Sequence, residues 1–131
     1  MKISLTVAML LLLVSSLAAP VHKAHYDAPV VVKPAITGIA SFYGDECAGL
    51  LMANGKPFDP SKFTAASYDF PLGTHMMVRN LTNGRMVEVV ITDRGPNHRL
   101  HRLIDLSEAG AYKLGYTHEG TTLVALEIKE N

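Results

Sequence analysis

The stretch Val89–Ser107, "VVITDRGPNHRLHRLIDLS", carries two aspartates in different settings. Asp93 closes an apolar strand-like run and is followed at once by Arg94-Gly95-Pro96. Asp105 lies between Ile104 and Leu106, just before a helix start that Ser107 can cap, with Gly115 as its stop. Upstream, "MVEVVITD" (86–93) alternates before turning continuously apolar, and "TNGR" (82–85) is a hairpin loop built on Asn83-Gly84, with "HMMVRNL" (75–81) as the partner strand. Farther out, "IASFYG" (39–44), "FTAAS" (63–67) and "TTLVALEIKE" (121–130) read as strands, and "FPLGT" (70–74) as a turn between extended segments. About six short strands, one helix and many Gly/Pro turns predict a mainly β fold closed into a small barrel.

The N-terminal "MKISLTVAMLLLLVSSLAAP" has a lysine, an apolar run and then small residues, the layout of a secretory signal peptide cleaved after Ala18. Its apolar run is short of the ~20 residues of a membrane span, so no stable span is expected after cleavage. Residues 19–37, rich in proline, read as a linker, and residues 38–131 as the folded domain. No cysteine stands at the cleavage site, so a lipid anchor is not expected, and export to the periplasm or cell envelope is. Twelve basic residues balance twelve acidic ones without a basic stripe, which argues against a nucleic-acid partner. The single cysteine, Cys47, is expected to be buried and inert, or else available to another chain.

Locally, each aspartate has a structural explanation beside a chemical one. Asp93 is a strand-end carboxylate that can accept backbone N–H groups in an Asx turn, or work as an acid. Asp105 can satisfy N–H groups opening the helix. Asp59 sits in the Gly/Pro-rich loop "NGKPFDPSKF" as a turn residue. The His98-x-x-His101 spacing has no cysteine pair or His-Glu motif beside it, so neither a metal site nor a cofactor is expected. Aromatic residues cluster at Phe42-Tyr43 and at Phe58, Phe63, Tyr68 and Phe70, as core residues or as a platform for sugar rings.

The order "GIASFYG", "MANGKPFD", "FTAAS", "FPLGT", "NGR", "VVITDRGP", "RLIDLS" and "KLG" resembles the rare lipoprotein A (RlpA) family, over essentially all of 38–129. That resemblance implies a six-stranded double-psi β-barrel with one or two short helices, and more distantly a likeness to the expansin barrel. It also implies a lytic transglycosylase whose partner is the glycan strand of peptidoglycan. Such an enzyme cleaves the β-1,4 bond from N-acetylmuramic acid to N-acetylglucosamine, and the muramic sugar's own C6 hydroxyl closes a 1,6-anhydro ring. A non-catalytic wall-binding or expansin-like module is the alternative, and a protein-interaction barrel a third reading.

Because the substrate brings its own nucleophile, one well-placed acid/base suffices where an ordinary glycosidase needs two carboxylates. By the resemblance that residue is Asp93, with Asp59 assisting as a neighbouring carboxylate. Tyr43, Asn54, Lys56, Ser67, Arg94 and Asp105 are then expected to line or shape the groove. The chain departs from the lytic members at two of these positions. Lys56 follows "ANG" where they usually carry a glutamate, and Ser67 follows "TAA" where they usually carry a histidine.

Overall fold

The structure, a computed structural model, describes residues 34–130. The expected signal peptide and most of the linker lie outside the described residues. Six strands run in chain order: β1 (Ile36–Tyr43), β2 (Thr64–Ala66), β3 (His75–Asn80), β4 (Met86–Asp93), β5 (Arg102–Ser107) and β6 (Thr122–Ile128). One helix, α1 (Glu108–Leu114), follows β5, and single 3-10 turns occupy Asp45–Cys47 and His98–Leu100. β1 starts two residues inside the stretch read as linker. The strands close as β1-β5-β2-β4-β3-β6, with β1–β5 and β2–β4 parallel and the other pairs antiparallel. This is the double-psi β-barrel.

Period-two alternation sends Ala40, Val87, Val89, Ile91, Ile104, Leu106, Val124 and Leu126 inward, where with Met76 and Val78 they form a core closed to solvent. Helix α1 adds Ala111 and Leu114 to that core.

Two sequence expectations change. "RLIDLS" is a full barrel strand, β5, so Asp105 is a mid-strand residue and takes no part in capping. Ser107 caps alone: its Oγ accepts from Gly110 N at 3.3 Å. The β3–β4 connection is a five-residue loop, 81–85, in which only Gly84 is left-handed (φ 77°), so Asn83-Gly84 does not form the two-residue turn with both centres at positive φ. Asn83 is used elsewhere. Its Nδ2 donates to Leu114 O at 2.8 Å, and the buried Asn80 Nδ2 donates to the same carbonyl at 2.9 Å. The hairpin thereby satisfies a carbonyl left open at the end of α1.

Each parallel pair carries a one-residue shift. β2 and β4 pair Ala65 with Ile91 but Ala66 with Asp93, so Thr92 is extra. β1 and β5 pair Ile39 with Arg102 but Ala40 with Ile104, so Leu103 is extra. The second bulge explains Gly38: a Cβ there would meet Leu103 Cβ at 2.8 Å, so only glycine admits the bulged residue.

Candidate active site

A bulge changes which face the following residues show. Ile91 points into the core, and unbroken alternation would turn Asp93 inward with it. The extra Thr92 instead brings Asp93 into register with Ala66, whose neighbour Ala65 is the inward residue. Asp93 therefore belongs to the barrel's outer face. Ser41, Asp105, Ala66 and Asp93 are successive cross-strand partners over β1, β5, β2 and β4, forming one outward row. The two aspartates stand two strand spacings apart, about 9.5 Å between backbones, with only an alanine between them.

Asp93 is half-buried, and one of its oxygens is fully used. Oδ1 accepts from Ala53 N at 2.9 Å and from Arg94 N at 2.8 Å. Among the described residues no donor is bonded to Oδ2. The Asx-type role expected for Asp93 thus occupies one oxygen and leaves the other for chemistry. The Ala53 contact belongs to a small loop pinned against β4, in which Met52 N donates to Lys56 O at 2.9 Å, Asn54 N to Thr92 O at 3.2 Å and Thr92 Oγ1 to Met52 Sδ at 3.3 Å. Asn54 Oδ1 accepts from Lys56 N at 3.0 Å, and both side chains stand exposed beside the row.

Asp105 accepts a hydrogen bond from Ser41 Oγ. Burial pushes its carboxyl above the ordinary aspartate range, while the Ser41 bond and the charge of Arg102 pull it back. Folding therefore favours neutral Asp105, and the protein loses stability as pH rises from about 3.8, its ordinary value, through the raised folded-state midpoint. Asp105→Asn keeps the oxygen that Ser41 uses and removes the ionisation. Its melting temperature should exceed that of the parent at pH 7, with the gap closing as pH falls below about 3.8, as scanning calorimetry across pH would record.

Tyr43 lies two residues beyond Ser41 on the same face. Its ring packs on Phe58 with centroids 4.2 Å apart, so one face is already covered by protein rather than free for a sugar. Its hydroxyl is buried facing that of Thr64. Burial, and then the charges of Asp93 and Asp105, hold the phenol protonated well above its ordinary range. Cys47 is half-buried nearby, its thiol pushed up by burial and by Glu46, Asp105 and Asp93.

The remaining expected residues divide. Arg94 turns away from the Asp93 carboxylate: its guanidinium donates to Ser67 O at 2.7 Å and to Phe70 O, locking the turn after β2. Ser67 is fully buried, gives its N–H to Asp93 O at 3.1 Å, and accepts from Asp69 N at its own Oγ. It supports Asp93 from behind. Among the described residues no hydrogen bond joins Asp59 to Asp93 or Asp105. Its Oδ1 accepts from Ser61 N and Oγ at 2.9 and 2.6 Å, which holds its carboxyl below the ordinary range. It lines a separate 550 Å³ cavity with Asp45, Glu108 and Tyr112. The carboxylate that shares the outward row with Asp93, across Ala66, is Asp105. Nothing in "RLIDLS" alone revealed this, because it depends on the bulge at Thr92.

Comparison with known proteins agrees with this architecture. A family profile described as lytic transglycolase matches residues 35–126. The endolytic peptidoglycan transglycosylase RlpA of Neisseria meningitidis serogroup A is 42% identical over 91 residues, covering 70% of this chain and 38% of that protein. The protein of the same name from Pseudomonas aeruginosa (strain UCBPP-PA14) is 45% identical over 92 residues, covering 70% and 27%. The chain thus spans well under half the length of these relatives. Among solved structures, an apo expansin of Clavibacter michiganensis superposes with a TM-score of 0.59 at 20% identity, covering 75% of this chain and 52% of that one. The Streptomyces papain inhibitor gives 0.53 at 24%, covering 76% and 98%. Both likenesses are of fold.

Proposed function

This chain belongs to the lytic transglycolase family, and from that membership we propose that it cleaves peptidoglycan glycan strands between N-acetylmuramic acid and N-acetylglucosamine, leaving 1,6-anhydro-muramic ends. One observation carries the reading: a half-buried carboxylate on the outer face, tethered through Oδ1 by two backbone amides and open at Oδ2. Two amide donors fix the carboxylate's direction, the kind of preorganisation an acid/base needs to act on a bound sugar.

The proton balance suits a single group. Asp93 gives a proton to the glycosidic oxygen as the bond to C1 of the muramic sugar breaks. The C6 hydroxyl of that sugar bonds to C1, and its proton returns to Asp93. No water is consumed, and the carboxyl ends as it began. In this reading Asn54 and Lys56, exposed on the loop pinned to Asp93, bind the glycan. Asp105 sets the polarity on the other side of Ala66, while Asp59 shapes the approaching loop. Export to the cell envelope fits a substrate found there.

Binding without turnover is favoured by one feature. Where lytic members usually carry a histidine, Ser67 is buried and its hydroxyl is already engaged. Incubation with intact sacculi and with peptide-stripped glycan separates the readings. Anhydro-muramyl ends detected by mass spectrometry are expected. Sedimentation with sacculi and no such ends would leave a wall-binding module.

A further inference from the structure

The loop that tethers Asp93 is seated by the same residue that turns Asp93 outward. Its tip folds back on itself: Leu51 bridges Pro57, while Met52 N donates to Lys56 O and Gly55 N to Met52 O, each at 2.9 Å. Among the described residues three hydrogen bonds join this tip to β4. One runs from Ala53 N to Asp93 Oδ1. The other two involve Thr92, the extra residue of the bulge, whose carbonyl accepts from Asn54 N at 3.2 Å and whose hydroxyl donates to Met52 Sδ at 3.3 Å. Both side chains are shut off from solvent, Thr92 at 9% exposure and Met52 at 8%. A bulge shifts register through the backbone alone and needs no hydroxyl. The Thr92 side chain has its use on the loop.

We infer that Thr92 and Met52 are positioning residues for the proposed reaction: their buried bond seats the loop on β4 and so delivers the Ala53 amide to Asp93 Oδ1. The inference rests on the proposed transglycosylase reading. The two amides on Oδ1 are not equivalent. Arg94 N belongs to the next residue and travels with Asp93. Ala53 N comes from forty residues away and is present only while the loop is seated. With the first amide alone, the direction of Oδ2 is no longer fixed, and a small misplacement of a catalytic group costs rate. Thr92 thus serves Asp93 twice, through its backbone by setting the face and through its side chain by holding the tether.

Thr92→Val keeps the β-branched shape and removes the hydroxyl, and Met52→Leu removes the acceptor at similar volume. For the full chain acting on peptide-stripped glycan, each should lower kcat roughly 3–10-fold with a smaller rise in KM, the range for losing one hydrogen bond. Thr92→Ser keeps the hydroxyl and should restore most of the rate. The double variant should be no slower than the slower single one, because both act through one bond. Hydrogen exchange followed by NMR gives a second readout. In Thr92→Val the Ala53 amide should exchange roughly 2–10-fold faster, while the Phe58 amide, bonded to Leu50 O at 2.8 Å, keeps the parent rate. An unchanged kcat, losses that add in the double variant, Thr92→Ser as slow as Thr92→Val, or equal exchange at Ala53 before and after would each overturn the inference. Absence of anhydro ends from the parent protein would overturn the functional reading, whereas the seating of the loop by Thr92 stands or falls with the Ala53 exchange.

Discussion

Asp93→Asn is expected to slow glycan cleavage by about 10²–10⁴-fold, the usual contribution of a positioned acid/base, without weakening the fold. The amide side chain offers the same oxygen to Ala53 N and Arg94 N, at present 2.9 and 2.8 Å away. What changes is the second position, where an acid oxygen becomes an NH₂ group that cannot exchange the required proton. The loss should appear in kcat and kcat/KM alike, because the interaction removed is one made only as the bond breaks. Binding to sacculi should survive. Asp59→Asn makes the contrast: its carboxylate closes its own turn with Ser61, so turnover should stay close to the parent rate. If the two substitutions exchanged effects, the acid would sit in the Asp59 loop, and the row on the outer face would have no catalytic meaning.

Asn80→Leu is expected to cause the largest loss of stability, about 3 kcal/mol, from three hydrogen bonds of one buried side chain lost at once. The side chain is 2% exposed. Its Nδ2 donates to Leu114 O, and its Oδ1 accepts from Thr82 N and Thr122 Oγ1, each at 2.9 Å. One amide therefore joins the β3–β4 loop, the start of β6 and the end of α1. Leucine fills a similar volume and returns none of these bonds. Asn83 still reaches Leu114 O, which limits the damage at that carbonyl. For a domain near 100 residues, each kcal/mol moves the melting temperature by about 4–8 °C, so a fall of about 12–24 °C should be seen by circular dichroism. A change under about 3 °C would mean that water replaces these bonds without cost. Turnover below the new melting point should be close to normal, because none of these bonds involves Asp93.

Where local pattern fixes the answer, the sequence was readable. The alternation in 86–93, the cap at Ser107 and the stop at Gly115 each stand where they were expected, because capping chemistry and period-two burial act within a few residues. "RLIDLS" resisted for a physical reason. Its ends look like a helix approach, and its strand character comes from parallel pairing with Ile39–Tyr43, more than sixty residues away. The site was harder still. Asp93 was visible as a strand-end carboxylate, but its face depends on the extra Thr92. A bulge is a property of two strands together, so neither strand's sequence shows it. Arg94 was expected in the groove and is instead spent on the carbonyls of Ser67 and Phe70, a partnership that exists only once the turn after β2 is folded.

The same row suggests the sharpest test. Two carboxylates a pair of strand spacings apart could also hold a water between them and hydrolyse the bond with inversion. The proposed route instead takes its nucleophile from the muramic sugar. Cleavage of peptide-stripped glycan in water enriched in oxygen-18, followed by mass spectrometry of the new ends, distinguishes the two. The account predicts anhydro-muramyl ends that carry no label. New reducing ends bearing oxygen-18 would contradict it, making Asp93 and Asp105 a hydrolytic pair, and uncut glycan would remove the chemistry altogether.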